Sequence, residues 1–339
     1  MTLVELLVVI SIMGLLMGIG AGVWIKFRSA STGQEAYARL AALARRARVF
    51  ALEESTGSRL ILDVKRRSFY AEGLRLVGMW HLEGPTDSRR PWVEAGFAGR
   101  GLTVAGGFYQ DKDNNNQPVY GYRGGGVRFK GSGCLIMDDA AFAFPAGGEL
   151  SCYLLPEKDS AATGTRQLLF SRGRELQLLI NADGELEAKS GAASLTTAGY
   201  RLPALRWSQV AFFFSPEEVR VTVDGVVRGR ISPGDLPGKK EDHLPLAFGD
   251  DSTSGFPFVG TVDEPSLRRV ARETEYRLPG QVELVSPVGA IHFDAAGMLD
   301  RRYHGGPIRI GIKRRESSAP GGSLTRWITV ALDGEIREN

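Results

Sequence analysis

Cysteine and histidine are scarce in this chain: two and four residues out of 339. So few soft or imidazole ligands leave little material for a zinc-type metal centre. The histidines, His81, His243, His292 and His304, also fall in different segments. An excess of one charge is missing too. Lys and Arg number 42 against 39 Asp and Glu, a net charge of +3. That excess gives no electrostatic footprint for nucleic acid, and no nucleic-acid partner is expected. No G-x-S-x-G elbow, Walker A loop or H-E-x-x-H pair occurs, so the chain carries none of these catalytic signatures and is expected not to be an enzyme. What is plentiful is glycine, 43 residues, with 16 prolines and 43% hydrophobic side chains. That profile excludes a disordered or collagen-like chain and leans towards strands joined by many turns. A prior of about 150 residues per domain suggests two folded units.

Residues 1–25, MTLVELLVVISIMGLLMGIGAGVWI, contain one ionisable side chain, Glu5. As a helix they are long enough to cross a hydrocarbon core of about 30 Å. The basic start and small-residue cleavage site of a secretory signal are missing. A carboxylate in so apolar a run is costly unless paired, and such residues usually mark function. Gly14, Gly18 and Gly22 recur at four-residue intervals, with Gly20 among them. That spacing permits close helix packing. It equally permits a loosened backbone between Gly14 and Val23, since each Gly weakens a helix by about 1 kcal/mol relative to Ala. The helix is expected to run on to about Glu54, with Leu40, Leu43, Ala47 and Phe50 on one face. Its length would be roughly 80 Å at 1.5 Å per residue. Arg45, Arg46 and Arg48 lie mostly off that face and read as solvated surface.

TLVELLVVI at the start of the chain resembles the mature N-terminus of the type IV pilin and type II secretion pseudopilin superfamily. The resemblance implies that Met1 is the residue exposed and methylated by a prepilin peptidase. It further implies that Glu5 pairs with the Met1 amine of a neighbouring copy and so selects register rather than adding stability. The implied location is the bacterial inner membrane before assembly, then a periplasmic or extracellular filament on the cell surface. The implied partners are further copies or other pilins.

Arg59–Val64 and Ser68–Glu72 read as a hairpin. Ala290–Phe293, Ile308–Ile312, Arg326–Ala331 and Glu335-Ile336 read as later strands. Their pattern resembles the head of H-type pseudopilins and FimT-like minor pilins. Between them, short strands and turn signals recur as in a β-sandwich. Trp80–Gly84, Gly126–Phe129, Gly148–Pro156, Trp207–Phe214, Val219–Val227, Leu246–Gly249 and Val259–Glu264 resemble the strands of a laminin-G-like domain of the concanavalin A-like lectin/glucanase superfamily. The expected class is therefore α+β: a long N-terminal pilin helix (1–54) packed on a small antiparallel pilin sheet (55–76 and 282–339), with an inserted all-β jelly-roll sandwich (77–278).

The E-x-D-x-x-E pattern of that superfamily's glycanases is missing, so the paired carboxylates of glycoside hydrolysis are not expected. Asp263 and Glu264 read as a structural brace, and Trp207 as a core aromatic. Asp224-Gly225 reads as a two-residue hairpin turn. Asp111, Asp113 and Asn115 alternate as oxygen donors like the start of a calcium loop, but Asn116 and Tyr122 stand where such a loop has Gly and Glu. An ordinary polar loop is the alternative. Asp250-Asp251 is a second calcium candidate, and no other cofactor is expected. Cys134 and Cys152 fall on expected neighbouring strands. With the head outside the cytoplasm, a bridge would close a loop of about 18 residues and contribute roughly 3 kcal/mol. The alternative is two buried thiols. Two functions follow from the resemblances. One is a filament subunit displaying the sandwich. The other is a low-copy minor pilin or pseudopilin acting as a lectin-like adhesin, for a glycan or a surface protein, or as a receptor for type II secretion substrates.

Overall fold

The computed structural model describes residues 3–82, 92–95, 101–105, 110–111, 117–131, 133–137, 144, 146–232, 245–249, 255–314 and 325–338. The chain divides into two compact units. One comprises Met1–Gly73 and Arg272–Asn339, the other Leu74–Ala271.

The α+β expectation is corrected: strands dominate the protein, and the architecture is sandwich-like. Apart from the four-residue Ser160–Thr163, the described residues contain one helix, Leu3–Glu54. It does not rest on a small sheet of pilin type. Its neighbours are Ser58–Asp63 and Ala290–Phe293 of one sheet, and Val282–Val285, Ile308–Arg314 and Ile336–Glu338 of another. The reason lies in the helix face. Ala36, Ala41, Ala44, Ala47 and Ala51 are buried beside Tyr37 and Leu40. Such small side chains allow strands to approach closely over several turns. Leu60, Leu62, Ile291, Phe293, Ile310, Ile312 and Ile328 complete that core. The helical backbone is continuous through Gly14, Gly18, Gly20 and Gly22.

The expected inner-membrane location is also corrected. Among the described residues no helix is long and apolar enough to cross a membrane. Where its side chains are described after residue 31, the helix alternates buried Ala and Leu with exposed Glu35, Arg39, Arg45, Glu53 and similar groups. That is a stripe for packing on strands rather than a lipid-facing cylinder.

In the first unit, Ser58–Asp63 pairs antiparallel with Ser68–Met79 on one side and with Ala290–Phe293 on the other. Glu72 lies on this sheet, almost wholly buried, and binds both Arg59 and Arg272, the latter at 2.8 Å. The remaining sheet runs Val282–Val285, Ile308–Arg314, Thr325–Val330, Ile336–Glu338. On it, Gly311 sits opposite Trp327. A Cβ at Gly311 would stand 2.7 Å from the indole, so the glycine lets the ring lie flat on the strand.

The second unit stacks two sheets. One has the order Val226–Ile231, Val219–Val223, Ser208–Phe214, Gly148–Pro156, Val259–Arg272, with Val127–Lys130 also paired to the last. The other runs Ala193–Arg201, Glu185–Ser190, Leu176–Ile180, Gln167–Arg172, Leu246–Phe248, Cys134–Met137, Gly101–Ala105, Trp92–Ala95. Alternate residues of both fill one core, among them Leu150, Leu154, Phe212, Phe214, Leu178, Leu186, Leu246 and Phe248. The period of two leaves Glu149, Ser151 and Tyr153 on the opposite face of the Gly148–Pro156 strand.

Replacing Glu72 with Ala removes the carboxylate between two part-buried guanidinium groups. Breaking a buried pair from one side costs about 3–5 kcal/mol. Chemical denaturation of the variant should show a loss of that order. A loss below ~1 kcal/mol would show that Arg59 and Arg272 find water instead.

Candidate functional site

The richest chemistry of the second unit gathers around one turn, Tyr120–Gly125. Tyr120 bridges Gly125, and the Gly121 N–H donates to the Gly124 carbonyl at 2.9 Å. The sequence G-Y-R-G-G-G suits this geometry. A Cβ on Gly121 would run into the Gly125 carbonyl oxygen and lie 2.6 Å from Asp263 Oδ2. Only glycine lets the turn close onto that carboxylate.

Asp263 is the anchor. It is fully buried, and its two oxygens accept from the backbone N–H groups of Arg123 at 2.8 Å and Glu264 at 2.7 Å. Burial pushes its carboxyl up to about 6, against the pull of those N–H groups, and the Glu264 charge adds to the rise. The strand Val259–Arg272 slips register against Gly148–Pro156 between Asp263 and Ser266. Glu264 sits at that irregularity with φ 48. A non-glycine residue there stores roughly 1–3 kcal/mol of strain. Glu264 Oε1 meets His81 Nδ1 at 2.7 Å, and its Oε2 is buried without a hydrogen-bond partner.

The turn presents an aromatic group. Tyr122 stacks on Tyr153 with ring centroids 3.9 Å apart and planes 9° from parallel. Trp207 meets Tyr122 edge-on at 6.0 Å. Tyr122 is 48% exposed, and Tyr120 beside it is more exposed still. Tyr153 and Trp207 are partly exposed. Tyr153 lies across from Gln209 and Asp263 on neighbouring strands. Gln209 exchanges hydrogen bonds with Asp224: its N–H donates to Asp224 Oδ1 at 2.8 Å, and its carbonyl accepts from the Asp224 N–H at 2.9 Å. Burial raises the Tyr153 hydroxyl first; Tyr122, Glu264 and Asp224 add to the rise and Arg123 opposes it. Those effects place Arg123, Glu264 and Asp224 within electrostatic reach of one phenol.

Asp224 and Gly225 both have positive φ, the two-residue hairpin turn read from the sequence. Trp207, read there as a core aromatic, is instead part of the exposed group. Asp263 does brace, but the segment it holds lies 140 residues earlier. Of the two readings of the cysteines, the structure has the free thiols: Cys134 and Cys152 are unbridged, with Cys152 buried and Cys134 half-buried. They stand in opposite sheets rather than on neighbouring strands, and burial pushes the Cys152 thiol well above its ordinary range. Met1, Asp113, Asn115, Asp250 and Asp251 lie outside the described residues. So do the side chains of Glu5 and Asp111. Among the described residues no group of three or more His, Cys, Asp or Glu is arranged to hold a metal.

In the first unit the fold joins two of the scattered histidines. The His292 N–H donates to His304 Nε2 at 2.9 Å, and Tyr303 stacks on His292 at 3.9 Å. Accepting through Nε2 requires that nitrogen to be unprotonated, and burial holds His304 below the ordinary range despite the nearby Asp300 carboxylate. The two lie 12 positions apart, the chain between them turning back on itself, so no periodicity could have shown the pair.

Residues 152–275 match the model of the concanavalin A-like lectin/glucanases superfamily, Laminin_G_3. That part of the chain is similar to a laminin-G-like domain. Domain 4 of an extracellular arabinanase from Geobacillus stearothermophilus, solved with arabinotriose, is 16% identical. The match covers 57% of this chain and 92% of that one, with a TM-score of 0.42. The binding domain of Paraclostridial Mosquitocidal Protein 1 is 10% identical over 75% of each chain, TM-score 0.44. Trypanosoma rangeli sialidase is 14% identical, covering 57% of this chain and 30% of its own, TM-score 0.42. No curated protein matches this chain. These comparisons lend no support to the pilin or pseudopilin resemblance.

The raised Asp263 carboxyl has a definite sign in stability. Its folded value of about 6 lies above the unfolded value of 3.8. The folded state therefore holds the extra proton between those values, and this group's contribution declines as pH rises from about 4 to 6. Carboxyl-carbon NMR should show Asp263 titrating near pH 6. A midpoint at or below 4 would mean that the backbone N–H groups outweigh burial.

Proposed function

We propose that the second unit is a lectin-like glycan-binding module and not an enzyme. The observation that carries this reading is the partly exposed aromatic group Tyr122, Tyr153 and Trp207, set beside the polar pair Gln209 and Asp224. A sugar ring offers an apolar C–H face and a polar rim. Aromatic rings fringed by polar groups complement both. The turn that carries Tyr122 is fixed by the buried Asp263 before any ligand arrives, and such preorganisation reduces the ordering cost of binding. The match to a lectin-type family supports the same reading.

Trp207→Ala and Tyr122→Ala in the full chain should each weaken glycan binding by tenfold or more on a glycan array, about 1.4 kcal/mol. Circular dichroism should stay unchanged, because neither ring belongs to the buried core. Retained binding in both variants would move the ligand elsewhere.

A second reading concerns the helix. Ile10, Met13 and Met17 follow one helical face and are 61%, 58% and 73% exposed in the single chain. Apolar residues so placed favour packing against other helices. On this reading the protein is a subunit of a filament, joined through these helices to its own copies and displaying the sandwich outward. Electron microscopy and sedimentation of the full chain should show assemblies. Met13→Glu with Met17→Glu, or Glu5→Ala, should abolish them. Monomers from the unaltered chain at high concentration would remove this role.

A further inference from the structure

Building on the glycan reading, we propose that the site takes an acidic glycan, one bearing carboxylate or sulfate groups, and that Arg123 recognises the anionic oxygens. Tyr122 and Arg123 are consecutive residues of the same tight turn. Arg123 is exposed. Its backbone N–H is fastened to Asp263, so the root of the side chain is fixed. The guanidinium makes no ion pair or hydrogen bond with any described residue, yet its charge is felt at the Tyr153 hydroxyl. It therefore belongs to the aromatic site and not to a distant surface.

The other charges of the site are already committed. Both Asp263 oxygens accept backbone N–H groups. Glu264 is engaged by His81. One Asp224 oxygen accepts the Gln209 N–H. Arg206, next to Trp207, is a second exposed cation. Among the described residues, the accessible carboxylate of the site is Asp224, and the Arg123 guanidinium faces the same phenol. A guanidinium is a planar fork that matches carboxylate and sulfate in bidentate fashion, and such charge-assisted pairs are roughly twice as strong as neutral hydrogen bonds. A neutral sugar would occupy the rings and leave this donor to water. An acidic sugar uses both features of the turn at once: Tyr122 for the ring face and Arg123 for the charge.

The test uses the full chain and an array of matched glycans, each neutral chain beside its uronate-bearing and its sulfated form. The expected result is at least tenfold tighter binding of one acidic form than of its neutral counterpart. The arm that binds distinguishes carboxylate from sulfate. Arg123→Gln should erase that preference by bringing the acidic forms down to the level of the neutral ones, and Arg123→Lys should keep part of it. Arg301→Gln, an exposed arginine of the other unit, should leave the preference intact and so controls for overall charge. Equal binding of neutral and acidic forms, or an acidic preference that survives Arg123→Gln, overturns the proposal while the glycan reading stands. Binding of no glycan of either class overturns the glycan reading and this inference together.

Discussion

A carboxylate buried at the Asp263 position is the constraint on which the proposed site depends. Left alone there it would be costly; with two backbone N–H groups donating to it, it becomes a fastening point. It binds the turn through main chain only, so the side chains at the tip stay available. The same carboxylate fixes why Gly121 must lack a Cβ and why Glu264 occupies a left-handed conformation one residue later. One unfavourable burial thus sets the positions of Tyr122, Arg123 and the His81–Glu264 pair. Strained backbone and a desolvated acid next to exposed aromatics is the combination expected where a fold has given up stability for a site.

The first unit works by a different rule. Its core depends on small residues, with five alanines on the helix face where strands approach, and on Glu72, whose charge is balanced by Arg59 across the same hairpin and by Arg272 from 200 residues later. The flat placement of Trp327 over Gly311 follows the same logic on the outer sheet: removing a side chain on one strand makes room for a large one on the next.

Much of this was legible in the sequence, and the failures have physical causes. The strands of the second unit announce themselves through alternation and through Asp224-Gly225. The hairpin from Ser58 and the strands at Ala290, Ile308 and Thr325 were equally plain. What misled was the weight given to a short apolar run. Residues 1–25 suggested a class and a location, whereas strand residues far outnumber helical ones among the described residues. Trp207 was misplaced because an aromatic next to a strand reads the same whether it points to a core or to solvent. Asp263 meets Arg123 across 140 residues, and His292 meets His304 through a loop. Pairings of that kind are made by topology, and local spacing carries no trace of them. Arg123 was passed over for the same reason. Only the turn's closure shows that its side chain meets no partner among the described residues.

The division of the chain has a consequence for its birth on the ribosome. The first unit is discontinuous, Met1–Gly73 and then Arg272–Asn339, whereas the second is one uninterrupted stretch. Domains generally fold as units, in the order they emerge. The sandwich is therefore complete in sequence while the alanine face of the helix still lacks Ile291, Ile310 and Ile328, its partners from the end of the chain. The helix is made before the sandwich and covered after it. Until the intervening stretch has been translated, that apolar stripe lacks the strands that later cover it.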